Sequence, residues 1–100
     1  MIHVIAIITA KSGKRAELLS AFAEIVPVVH QEVGCVEYQP VIDAENAGDM
    51  QTLLGLDSFM VVEKWDTMED LKAHSKSAHM VAYGKKAGHM VADRTIHVLS

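Results

Sequence analysis

The segment IHVIAIIT, residues 2–9, decides how the chain must fold. Side chains of an extended strand alternate between its two faces, so Ile2, Val4, Ala6 and Ile8 point one way and Ile5 and Ile7 the other. His3 is the only ionisable group in the stretch. A strand that is apolar on both faces needs cover on both faces. The longest nearly uninterrupted apolar run, VIAIITA, is far shorter than the roughly 20 residues a membrane-spanning helix requires, so the cover must be protein.

The next segments supply one layer of it. From Ser12 to Val33 the apolar residues Leu18, Phe22, Ile25, Val26, Val29 and Val33 recur at helical spacing, with Gly34 as the stop and Pro27 as an expected kink. Cys35 to Ile42 reads as a second strand, DAENAGDMQ as a polar connection, and Phe59 to Trp65 as a third strand. Thr67 is placed to cap a helix with Asp70 at its third position. That helix reaches Gly84 or Gly88, with an expected break near Ser75 to Ser77, and Met90 to Leu99 forms the last strand. The order β-α-β-β-α-β is that of a ferredoxin-like α+β domain, with both helices on one side of a four-stranded antiparallel sheet. The opposite sheet face stays apolar and bare in a single copy. A homodimer with sheets face to face is the simplest cover.

Composition narrows the function. The chain has 100 residues, half of them hydrophobic, and nine Lys and Arg against thirteen Asp and Glu for a net charge of −4. That is one domain, residues 1–100, with no repeat or linker to divide it. It lacks the basic patch that nucleic acid requires and any run of like charge suited to an anionic membrane. The N-terminus has no basic region or cleavage site, which gives the cytoplasm as the expected location. A lone cysteine, Cys35, forms no internal disulfide and fits a reducing compartment.

Chemistry-bearing residues gather in VVEKWDTMEDLKAHSKSAHMVAY, residues 61–83. On the third strand Glu63 and Trp65 share a face with Phe59 and Val61. A carboxylate between Val61 and Trp65 loses solvent, and either finds a donor, such as a histidine of the following helix, or rises in pKa. The plainer alternative is an edge ion pair above a core tryptophan. His74 and His79 are five apart, roughly 140° around an unbroken helix, so they would not share a face. No cysteine or carboxylate completes a recognisable metal set, and no metal is expected. His79 and Tyr83 do share a face, and a break near residue 76 would free His74 to turn inward. Tyr38 can offer a hydroxyl, and Met80, one of six methionines, an adaptable apolar surface. Cys35 reads as a small packing residue. His3 and His97 sit on outer segments and would meet if those pair as neighbouring strands, the plainer reading being a pair of solvated or capping histidines. No phosphate loop, G-x-S-x-G or Cys/His nucleophile arrangement is present.

Two stretches, AFAEIVPVVHQEVGCVEYQP and DSFMVVEKWDTMEDLKAHSKSAHMVAY, together resemble the antibiotic biosynthesis monooxygenase family, and within it the small bacterial quinol monooxygenases. The resemblance implies a dimeric α+β barrel and oxygen chemistry without flavin, haem or metal. It places Glu63, Trp65, His74 and His79 at the family's pocket positions, with Tyr38 and Tyr83 as lesser candidates. Relatives often carry proline where this chain has Ala78, and the helix histidine of the haem-degrading branch, near Gly84, is missing.

The expected activity is oxidation of a small aromatic hydroquinone or polyphenol by dioxygen, with no cofactor, since electrons must then come from the substrate. His79 or His74 takes the phenolic proton, Glu63 orients that imidazole, and Trp65 packs on the ring. A cofactor-free isomerase or proton-transfer enzyme, and a non-catalytic stress-response module that binds a small aromatic, are the alternatives. Oxygen uptake and turnover separate the three.

Overall fold

A computed structural model describes all 100 residues, Met1–Ser100. Strand β1 (Ile2–Ala10) is followed by helix α1 (Arg15–His30), β2 (Cys35–Val41), β3 (Ser58–Trp65), helices α2 (Met68–Ser75) and α3 (Ala78–Ala87), and β4 (Val91–Leu99). The four strands form one antiparallel sheet in the order β2-β3-β1-β4. This is the ferredoxin-like arrangement that the strand and helix pattern requires. No helix is long and apolar enough to cross a membrane.

Register explains which residues form the core. Ile2, Val4, Ala6 and Ile8 of β1 lie opposite Trp65, Glu63, Val61 and Phe59 of β3, all on the face that the helices cover. Leu18, Phe22 and Val29 of α1 close over that face, and with Phe59, Val61 and Trp65 they are essentially removed from solvent. Full burial of such side chains contributes roughly 1.5–3 kcal/mol each, which makes this layer the main source of stability. On the other face Ile5, Ile7, Met60 and Val62 remain half-buried with nothing packed on them. His3 and His97 lie on this bare face too, on paired strands but diagonal, opposite Leu99 and Ile5 respectively.

Two helix boundaries differ from the expected ones. Helix α1 starts after Gly13, whose left-handed backbone (φ 76°) interrupts the helix, and whose N–H donates to Asp57 Oδ1 at 3.2 Å. It continues past Pro27 but ends at His30, leaving Val33 82 % exposed and off the apolar stripe. The reason is the turn over residues 31–34. Glu32 N–H bonds Val29 O, Cys35 N–H bonds Glu32 O, and Gly34 takes φ 79°. Gly34 O accepts from Asp66 N–H at 2.9 Å, and a Cβ on Gly34 would overlap the Asp70 side chain. The end of α1 is thereby fastened to the corner between β3 and α2. Thr67 caps α2 through Asp70 N–H, as the sequence indicates, and the expected break falls at Lys76–Ser77.

Candidate active site

Ser77 creates the break and sets the angle between α2 and α3. Its hydroxyl donates to His74 O at 2.8 Å and accepts from Met80 N–H at 3.4 Å, so one side chain closes one helix and caps the next. The unbroken-helix geometry that separates His74 from His79 does not apply. His74 Nδ1 and His79 Nε2 each lie 2.8 Å from the same oxygen, Glu32 Oε2, and His79 Nε2 also lies 3.2 Å from Ser77 Oγ. A carboxylate only accepts, so the imidazole N–H groups donate.

Sequence reasoning missed Glu32. It was visible only within the stretch AFAEIVPVVHQEVGCVEYQP, and the Gly34 turn that presents it to α2 and α3 has no periodic signature. The expectation that no carboxylate completes a set with the two histidines is therefore corrected. Glu63, expected to orient an imidazole, accepts from Trp65 Nε1 at 3.0 Å through Oε1 and makes no hydrogen bond to either histidine.

Glu63 and His74 border a cavity of about 560 Å³ between the covered sheet face and the helices α2 and α3. Its wall is mainly apolar, and Tyr38, Glu63, His74, Met80, Tyr83 and Arg94 bring the functional groups. Trp65 is wholly buried beneath the wall and His79 lies outside the lining, so neither is positioned to touch a molecule in the cavity. Trp65 acts from below: its ring is 4.7 Å from that of His74, and Tyr38 meets His74 edge-on at 5.2 Å. No buried side-chain nitrogen or oxygen lacks a partner, yet His74 Nε2, Glu63 Oε2 and the Tyr38 hydroxyl bond to nothing in the chain. All three keep access to solvent, and their residues line the cavity.

Burial pushes the Glu63 carboxyl up, against the opposing pull of the Trp65 hydrogen bond and of His74. Burial also raises the Tyr38 phenol far above its ordinary range, with the Glu63 charge adding to it, and raises that of Tyr83. Both phenols stay neutral donors. Cys35 is raised by burial and by Glu32 and Glu63, which leaves a thiol of low reactivity. The arrangement offers one imidazole lone pair, fixed from behind by a carboxylate, beside a mainly apolar cavity. It can remove a proton from a small, flat, apolar molecule.

Such a cavity on a ferredoxin-like α+β sheet points to a class of small α+β proteins, and comparison identifies which. The pattern described as antibiotic biosynthesis monooxygenase matches residues 1–86. This chain belongs to that family, and membership supports a monooxygenase-type function. A protein of Escherichia coli strain K12, named as the probable quinol monooxygenase YgiN, is 35% identical over 101 residues, covering 99% of this chain and 96% of that protein. Among solved structures, one from Nitrosomonas europaea, put forward as an antibiotic biosynthesis monooxygenase, superposes with a TM-score of 0.83 at 18% identity, covering 100% and 97% of the two chains. PA3566 from Pseudomonas aeruginosa gives 0.80 at 21%, covering 98% and 90%. At these identities the two structures speak for the fold.

Proposed function

We propose that the chain is a cofactor-independent monooxygenase that oxidises a small aromatic hydroquinone with dioxygen, working in the cytoplasm as a homodimer. The observation that carries this reading is His74: Nδ1 tied to Glu32, Nε2 open to an apolar cavity. Supporting it are family membership and the 35% identity to a protein named for quinol oxidation. The half-buried apolar sheet face supports the dimer.

In this reading His74 Nε2 accepts the phenolic proton, and Glu32 stabilises the imidazolium that forms. The deprotonated quinol supplies electrons to oxygen. One oxygen atom replaces a ring hydrogen, the other leaves as water, and the product is the hydroxylated quinone. Glu63, its carboxyl pushed up by burial, and the Tyr38 hydroxyl hydrogen-bond the substrate oxygens. Exclusion of water keeps the anionic quinol poorly solvated and reactive.

The test is oxygen consumption by chelator-treated protein against naphthoquinols and other polyphenols. General-base help is worth about 10²- to 10⁴-fold, so His74→Ala should slow turnover by that factor, with partial recovery at high pH where the quinol ionises unaided. An unchanged rate in His74→Ala removes the histidine from the mechanism. Quinol turnover without oxygen uptake replaces the monooxygenase reading with a proton-transfer one.

A further inference from the structure

Glu32, His74 and His79 come from three different elements, the turn after α1, the end of α2 and the start of α3, and none of the cavity chemistry requires all three. Glu32 Oε2, His74 Nδ1 and His79 Nε2 all lie within 4.8 Å of one another. Two imidazole nitrogens and one carboxylate oxygen are the donor set of many zinc and non-haem iron sites. Metal–ligand bonds of about 2.0–2.2 Å place neighbouring donors roughly 3–3.5 Å apart, so the two 2.8 Å contacts need to open by a few tenths of an ångström and the two ring nitrogens, within 4.8 Å of each other, to settle at the same spacing.

The surroundings favour a cation. Neither Glu32 nor the nearby Glu63 pairs with a lysine or arginine. Access exists as well: the His79 side chain is 27% exposed and that of Glu32 14%, against 6% for His74. An ion therefore enters from the outer surface, on the side of His74 away from the cavity.

We propose that Glu32, His74 and His79 form a binding site for a divalent transition-metal ion of the zinc class, and that its occupation switches off the base. The second half rests on the role assigned to His74 above; the first half does not. A neutral imidazole carries one proton, and a ring nitrogen that binds a metal cannot hold it. With Glu32 as sole partner the proton sits on Nδ1 and the Nε2 lone pair faces the cavity. With an ion on Nδ1 the proton moves to Nε2, and the group facing the substrate becomes a donor.

Untagged protein freed of metal with a chelator and titrated with zinc chloride by calorimetry is expected to take up one ion per chain, and cobalt(II) to give a visible absorption band. Loss of a ligand in His79→Ala, or its replacement in Glu32→Gln, is expected to weaken zinc binding by about 10- to 100-fold or more, with circular dichroism unchanged. A wild-type chain that takes up no zinc stoichiometrically overturns the site, whatever the variants do. Folded variants that bind as tightly as wild type overturn it too. In the quinol assay, stoichiometric zinc is expected to reduce oxygen uptake at least about tenfold, reversibly with chelator, since the base alone is worth that or more. Full uptake with zinc bound overturns the switch. A chain that binds zinc yet oxidises no quinol in any metal state sinks the reaction assigned above and upholds the site.

Discussion

Glu63 shows how one side chain ties stability to function. Its carboxyl is buried beside Trp65 and raised from the ordinary value of 4.5, chiefly by desolvation. Below that value both folded and unfolded chains carry the proton and the group is neutral toward folding. As pH rises through 4.5 the unfolded chain ionises first, so stability falls until the folded-state value is passed and the deficit becomes constant. Glu63→Gln escapes this, and its amide oxygen can still accept from Trp65 Nε1. The variant is expected to be more stable than wild type near neutral pH, with the advantage vanishing by about pH 4; urea unfolding at both values, with chelator present, checks it. Equal stability at neutral pH would mean the carboxylate is better solvated than its burial indicates. Alternation along β3 made the Glu63–Trp65 pair legible from sequence. Glu32 was not legible, because its partners lie 42 and 47 residues away and nothing local to any of the three residues announces the contact.

At the scale of elements, two short turns align the site. The sequence located both, through Gly34 and the serines around residue 76, but a turn residue marks where a chain bends and not the direction it takes afterwards. That direction brings two histidines, nominally on different faces, to one oxygen. Ser77 closes α2 and caps α3, so Ser77→Ala is expected to lose about 0.5–2 kcal/mol of stability, and to loosen His79 with it. Gly34 and Gly13 provide an internal comparison. Both have left-handed backbones, φ 79° and φ 76°, so alanine at either costs about 1–2 kcal/mol for conformation. A Cβ at Gly13 meets open space, whereas at Gly34 it collides with Asp70 down to that residue's own Cβ, 2.8 Å away. Gly34→Ala should therefore be the more damaging of the two in chemical denaturation, by the cost of displacing the start of α2. Equal losses would show that the α1–β2 turn and α2 are not held as tightly as their contact implies.

For the whole molecule, the two-sided apolar character of residues 2–9 carries the argument furthest. One side is satisfied inside the chain, by Leu18, Phe22 and Val29 on the helix and by β3. The other side, Ile5 and Ile7 with Met60 and Val62 beside them, has no cover within 100 residues, and the helix side of β4 leaves Ile96 and Val98 about half exposed. Periodicity could reveal the surplus face but not the loose cover over β4, since that depends on how far α3 reaches across the sheet. A second copy presented face to face removes the surplus area from water, at roughly 25 cal/mol per Å² of apolar surface less the entropy of association. Ile7→Lys sets a charge at the centre of that face without touching the helix-covered core. If the proposed pairing holds, wild type sediments as a dimer at micromolar concentration, and the variant as a folded monomer with its dissociation constant raised by several orders of magnitude, because an unpaired buried charge costs about 3–5 kcal/mol. The cavity lies on the opposite side of the sheet from residue 7, so a monomeric variant that keeps zinc uptake but loses quinol turnover would mean that the chamber needs the second copy to hold its shape. A wild-type chain that sediments as a monomer would leave the apolar face without a partner, and pairing would have no part in the chemistry.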